Sequence, residues 1–363
     1  MKPTKKILFV CPYPVGQQAG QRFKYEQYFD LFKQNNFTIE TSPFIHTKLW
    51  NVLYKKGNYL TKIIFTLYGY LKRIYLIPFL NKYDAIYIFM WVVPVGGNLI
   101  EKIYVKNSKK TIYDIEDNIL INFKKKDNII SFLRSEKKIT YLIKKSDFVI
   151  TSSPMLSKTC ENISGGSNTV EYISASIKLN KYEPIKKHIE KQDIVIGWTG
   201  THSSKKYLDI LGNLFIELKN KYPKVHIKII SNFSYQIKSA NIKNTIWNKD
   251  TEIRDLLEID IGIYPLSVDE WVEGKSGLKA LQFMALGIPV VATSVGMSKQ
   301  IIDNMKNGIL VNNKDAEWFN AIEILIKDYN LRNLIGKNSR KTVGAKYSTD
   351  IIGNQYLKIL NSL

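Results

Sequence analysis

Only two cysteines occur in the 363 residues, Cys11 and Cys160, far apart and without metal-type or redox-type spacing. A disulfide framework is excluded, and free thiols in a reducing compartment are expected. The four histidines, His46, His188, His202 and His226, are scattered, and no strict Asp-x-Asp triplet occurs, so no motif requires a metal. No Gly-x-Gly-x-x-Gly spacing is present, which leaves a nicotinamide-type dinucleotide site unsupported, and no cofactor is expected. The opening Met1-Lys-Pro-Thr-Lys-Lys runs directly into Ile7-Leu-Phe-Val10, too short a run for a signal peptide, so a cytoplasmic protein is expected.

Acidic residues are scarce. Lys and Arg number 53 against 32 Asp and Glu, a formal net charge of +21. The excess is uneven: residues 1–185 hold 28 basic against 14 acidic side chains, a net +14. From Thr41 to Tyr83 there is no acidic residue at all, and Lys48, Lys55, Lys56, Lys62, Lys72, Arg73 and Lys82 are interleaved with aromatic side chains. Such a block suits an anionic membrane surface. Lys62, Lys72 and Arg73 interrupt its apolar runs, so it is expected to lie on a bilayer, at the inner face of the cell membrane, and not to cross it. Stacking on nucleic acid is the competing use of lysines among aromatic rings, and no nucleic-acid partner is expected.

With 45% hydrophobic residues and no low-complexity stretch, the chain suffices for two ordinary domains. Short runs rich in Ile and Val alternate with amphipathic stretches, twice over. In the first half strands are expected at Lys6–Cys11, Thr38–Thr41, Ala85–Phe89, Lys110–Tyr113, Phe148–Thr151 and Thr169–Ile173, with helices that include Thr47–Leu80 and Ser131–Lys144. In the second half they are expected at Ile194–Trp198, His226–Ile230, Thr245–Trp247, Ile261–Tyr264, Pro289–Ala292 and Gly308–Val311. A charged stretch at Lys178–Lys191 reads as a linker. The expected fold is α/β: two Rossmann-like doubly wound domains facing a cleft, residues 1–180 completed by a returning helix at 348–363, and residues 181–347.

The richest segment runs from Trp271 to Thr293. Glu273, Gly274, Lys275, Ser276, Gly277 and Lys279 stand before and at the start of an apolar helix that ends at Gly287, followed by a Pro289-Val-Val-Ala-Thr strand. Amides at a helix start in a glycine-bearing loop favour an anion, and two lysines add full charge, so the segment is suited to a diphosphate. It resembles the donor-sugar motif of the family-four retaining glycosyltransferases of GT-B fold, in which a Glu, seven residues and a second Glu precede Ala-Met-Ala and a Gly-x-Pro-Val strand. Here Gln282 stands for the second Glu, Phe283-Met-Ala for Ala-Met-Ala, and Glu273 lies one residue further upstream.

The resemblance implies a nucleotide diphosphate sugar as donor and a role for Glu273 beside it. A second phosphate loop is expected at Thr199-Gly200-Thr-His202-Ser-Ser-Lys205-Lys206, where family members carry Arg and Lys; either Lys205 or Lys206 would supply the charge. Ser231 and Tyr264, at strand ends, are candidates for base and ribose contacts. In the first half, Pro12-Tyr-Pro-Val-Gly16-Gln-Gln-Ala-Gly20-Gln-Arg22 resembles the family's glycine loop where acceptor and donor phosphate meet. Asp114-Ile-Glu116-Asp117 closes a strand, and Asp117 joins Glu273 as a catalytic candidate.

The expected activity is therefore sugar transfer, with retention implied by the resemblance alone, to a lipid-linked or polysaccharide acceptor held by the basic first domain. A nucleotide-sugar epimerase of the same fold and a non-catalytic sugar-nucleotide binder are the alternatives; donor-only product analysis separates the first and transfer assays the second.

Overall fold

Runs of Ile, Val, Phe and Tyr three to seven residues long become strands because β-branched and aromatic side chains fit a pleated surface covered on both faces. The computed structural model describes residues 4–120, 136–184 and 193–363. By its contacts the chain divides into two compact units: Met1–Ala175 with Glu273–Ser276 and Ile352–Leu363, and Ser176–Val272 with Gly277–Ile351. Positions 131–135 of the expected Ser131–Lys144 helix, and the 185–191 part of the expected linker, lie outside the described residues.

The first unit is built on β1 (Lys5–Cys11), β2 (Phe37–Pro43), β3 (Ala85–Phe89), β4 (Thr111–Ile115), β5 (Phe148–Thr151) and β6 (Thr169–Tyr172), all parallel in the order β2-β1-β3-β4-β5-β6. The order reverses between β1 and β3, where ligands of doubly wound sheets gather at the carboxyl ends of the strands. One face of the sheet packs Phe9, Tyr25, Phe32 and Tyr356, the other Val10, Ile88, Tyr113 and Leu142. The fourth strand runs past its expected end at Tyr113 and takes Asp114 into the buried sheet. A carboxylate is tolerated there because the Lys24 ammonium pairs with it and the Tyr87 hydroxyl donates to it.

The expected Thr47–Leu80 helix is broken. A one-turn helix at Thr47–Trp50 is followed by Gly57 and Asn58, both at positive φ (75° and 55°), before the helix Tyr59–Leu76 and a 3-10 turn Ile77–Lys82 that contains Pro78. This helical run corrects an expectation. Tyr59–Lys82 is 24 residues long with mean hydropathy 1.3 in its most apolar stretch, long and apolar enough by length and composition to cross a membrane. Lys72 and Arg73 adjoin and Lys62 stands ten positions upstream, which leaves apolar stretches on both sides of the pair.

The second unit carries β7 (Ile194–Gly200), β8 (Val225–Ser231), β9 (Ile242–Ile246), β10 (Ile261–Tyr264), β11 (Val290–Thr293) and β12 (Ile309–Val311), again all parallel, in the order β12-β11-β10-β7-β8-β9. Trp198, Phe215, Leu218, Ile263 and Trp318 fill its core. The ninth strand begins three residues before its expected Thr245, because as an edge strand it is only half-buried and carries Lys243 and Asn244. The order reverses between β7 and β10, so the ends of these neighbours, Gly200 and Tyr264, stand at the switch point.

Candidate functional site

In the second unit the decisive side chain is Lys279. The helix Leu278–Ala285 starts from Gly277 at φ 71°, and no side chain caps its first turn, which leaves amides open to an anion. Lys279 lies in that first turn and folds back onto the end of β7: its Nζ is 4.9 Å from the centre of the Trp198 ring. It also stands 2.6 Å from where a Cβ on Gly200 would be. The absence of a Cβ at 200 makes room first for the Trp198 ring, which a Cβ would meet before the lysine, and Lys279 rests over that ring at the switch point. Gly277 is equally constrained, since a Cβ there would meet Ile301 at 2.4 Å.

The two lysines of the expected phosphate loop part company. Lys205 is engaged, its ammonium bonded to both oxygens of Asp209 at 2.7 and 2.9 Å. Lys206 has its Nζ 4.9 Å from the Tyr207 ring centre and makes no ion pair with a described residue. Tyr264, at the end of β10, is buried. Ser231 does not offer its hydroxyl outward: Oγ donates to the Phe233 carbonyl and accepts from the Phe233 amide, closing a turn.

Gln282 is likewise enclosed. Its Nε2 donates to the Tyr182 hydroxyl and to Glu252 Oε1, each at 3.0 Å, and Glu252 also accepts from Trp247 Nε1 at 3.2 Å. The carboxylate missing from position 282 thus reappears beside it, from Glu252. No signal in the sequence joined these residues, which lie thirty positions apart.

In the first unit the tetrapeptide Glu273–Ser276 sits against the loops after β4 and β5, so the segment expected to act as one loop-helix-strand piece is divided between the units. Ser152 Oγ donates to the Gly274 carbonyl at 3.1 Å, and a Cβ on Gly274 would meet the Asn118 amide nitrogen at 2.6 Å. Half-buried Lys275 and Ser276 follow; the Lys275 Nζ is 4.0 Å from Asp117 Oδ1. Glu273 ends the one-turn helix Glu270–Glu273, half-buried, and its carboxylate makes no hydrogen bond or ion pair with a described residue.

At the end of β4, Asp114 is consumed by Lys24 and Tyr87, whereas Asp117 is held at φ 58°, an unusual conformation for a side chain with a Cβ. Between them Glu116 packs against Gly20, where a Cβ would lie 2.1 Å from its Oε2. Burial pushes the Glu116 carboxyl up to about 7; the negative charge of Asp117 adds to the rise and Lys24 opposes it. Sequence reasoning placed Glu116 in the carboxylate cluster but gave it no role of its own, because its contact with Gly20 is set by tertiary packing.

The glycine loop after β1 is held by its own side chains. Gly16 donates its amide to Glu26 at 2.8 Å, and Gln21 bonds both the amide and the carbonyl of Tyr13. The Gly16 amide is therefore spent within the loop. Arg22 is half-buried with its guanidinium 5.2 Å from the Phe23 ring centre.

Residues 181–342 match the model of the family Glycosyl transferases group 1. That stretch resembles a group 1 glycosyltransferase domain. Over 210 residues the chain is 24% identical to the capsular polysaccharide biosynthesis glycosyltransferase CapM of Staphylococcus aureus, covering 54% of each chain. The matched stretches span about half or less of the length of the curated relatives. As a fold the whole chain is similar to sucrose-phosphate synthase from Thermosynechococcus elongatus, with a TM-score of 0.72 at 14% identity, covering 99% of this chain and 100% of that one. It is also similar to HepE of Anabaena, solved in complex with UDP-glucose, with a TM-score of 0.69 at 15% identity and the same coverage. The architecture is GT-B: α/β, with two Rossmann-like units each built on a six-stranded parallel sheet.

Proposed function

We propose that the chain is a glycosyltransferase that moves a sugar, with retention, from a nucleoside diphosphate to a lipid-linked or polysaccharide acceptor at the anionic inner face of the cell membrane. The observation that carries this reading is the Lys279 ammonium over Gly200, beside an uncapped helix start at the switch point of the second sheet. A diphosphate is the ligand class whose charge and oxygen acceptors match a lysine plus backbone amides.

In the transfer the bond from the anomeric carbon to the diphosphate oxygen breaks with its electron pair leaving on the phosphate. The acceptor oxygen forms the new bond and passes its proton to the departing diphosphate oxygen. Lys279, the helix amides and Lys206 stabilise the departing charge, with no metal or cofactor entering the scheme. Glu273, whose carboxylate has no hydrogen bond or ion pair among the described residues, and Asp117 are assigned to the sugar hydroxyls and the cationic character that develops at the anomeric carbon. The similarity to HepE, solved with UDP-glucose, and to CapM, named for capsular polysaccharide biosynthesis, supports the donor class and the kind of product.

Calorimetry with UDP tests the site. Lys279→Ala removes a charge-assisted contact and is expected to weaken binding about ten- to hundredfold. Lys205→Ala, which removes a lysine already paired with Asp209, should leave the affinity within about twofold, as expected for an exposed ion pair. Equal affinity for the Lys279 variant and the unaltered protein would sink the reading.

A further inference from the structure

The helix Tyr59–Leu76 is packed the wrong way round for a soluble protein. Its polar groups point into the first unit: the fully buried Arg73 guanidinium donates to the carbonyls of Val92 and Ser42 at 2.8 Å and Cys11 at 3.0 Å, and to Ser42 Oγ at 2.7 Å. Gly69 lies flat against Phe44, and the Tyr70 hydroxyl donates to the Val95 carbonyl at 2.9 Å. Its apolar groups point outward. Leu60, Ile63, Ile64, Leu67, Leu71 and Ile74 recur at helical spacing and are between 51% and 72% exposed. A contiguous apolar face of this kind on an unpartnered helix marks an interaction surface.

We infer that this face inserts into the interfacial layer of an anionic bilayer, with the helix lying in the plane of the membrane. The inference deepens the membrane part of the reading above and rests on it for the location of the acceptor. Charge selects the occupant. The apolar face is flanked by exposed Lys48, Lys55, Lys56 and Lys82, and residues 41–83 contain no acid, so anionic headgroups complement the rim while a second copy of this basic unit would meet like charge. Burial selects the orientation. Crossing the bilayer would strip Arg73 of four hydrogen bonds and Gly69 of its seat on Phe44, although length and composition alone would permit a span. In-plane insertion uses only groups that are already outside.

The test is vesicle partitioning of the full chain. Flotation with vesicles of equimolar phosphatidylcholine and phosphatidylglycerol is expected, with little on phosphatidylcholine alone. The double variant Leu67→Glu and Leu71→Glu, altered only at exposed positions, should lose about tenfold or more in partitioning while binding UDP as before. That last readout separates this idea from the glycosyltransferase reading, whose own failure would appear as lost UDP binding in both proteins. Because Cys11 and Cys160 are buried, Leu67→Cys can be labelled selectively with an environment-sensitive fluorophore, which should shift to the blue on vesicles and be quenched by lipids brominated on their acyl chains. The inference is overturned by absent flotation, by undiminished flotation of the double variant, by membrane association that survives alkaline extraction as a spanning helix does, or by a lipid-free dimer that the double variant dissociates.

Discussion

A carboxylate packed against Gly20 and beside Asp117 has little to gain from ionising, and the consequence for Glu116 is a linkage between pH and stability. Its group titrates near 7 in the folded chain against an ordinary value of 4.5, so the folded state holds the proton more tightly. Between those values the native state binds more protons than the unfolded one, and stability falls as pH rises; the favourable contribution is complete below 4.5 and gone above 7. Glu116→Gln cannot ionise and escapes the loss. Its melting temperature relative to the unaltered protein should therefore climb between about pH 5 and about pH 8, measured by thermal unfolding in matched buffers. Parallel melting curves across that range would show that the carboxyl titrates normally.

The same scale shows what a sequence can and cannot disclose. Lys279 was legible as a candidate because glycines, a lysine pair and an apolar helix follow one another in the chain; its placement over Gly200 was not, since 79 residues separate them. Lys205 and Lys206 are adjacent and chemically alike, and only the position of Asp209 one helical turn along distinguishes them. Gln282 stood out as a departure from the family pattern, but the Glu252 carboxylate to which it donates belongs to another element and could be found only in three dimensions.

Among elements, strands were easier to read than the helix that matters most. β3 and β10 are buried on both faces and appear in the sequence as unbroken apolar runs. The helix Tyr59–Leu76 inverts the usual rule: Arg73, which in the sequence belongs to a basic block suited to an anionic surface, is buried and is the bolt that fixes the helix to the unit. Arg73→Ala would strand the carbonyls of Val92, Ser42 and Cys11 without a donor, and a loss of about 3 kcal/mol or more is expected in urea unfolding. Arg73→Lys should recover only part of it, because one ammonium on a flexible stem cannot reproduce the planar fork that reaches three carbonyls. If Arg73→Lys is as stable as the unaltered protein, charge alone holds the helix and the geometric account fails.

For the molecule as a whole, the order of elements along the chain understates how its parts depend on one another. The helix Thr349–Asn361 starts where Thr349 donates to the Ile177 carbonyl in the second unit and ends in the core of the first, with Tyr356 5.1 Å from the Tyr28 ring and 6.1 Å from Phe32. Gly353 permits the close approach, since a Cβ there would meet Leu31 at 2.6 Å. Ile352, Tyr356, Ile359 and Leu360 are all buried, and at about 1.5–3 kcal/mol for each large apolar side chain their removal would cost an amount comparable to the whole stability of an ordinary domain. A chain ending at Ser348 should thus lose amide protection in β1 and in the Phe29–Gln34 helix by about a hundredfold or more, while β10 and β11, whose cores lie in the other unit, keep theirs. Hydrogen exchange followed by mass spectrometry reads both in one experiment. Uniform loss across both sheets would mean that the two units unfold as one, and unchanged protection of β1 would mean that the returning helix is only an appendage.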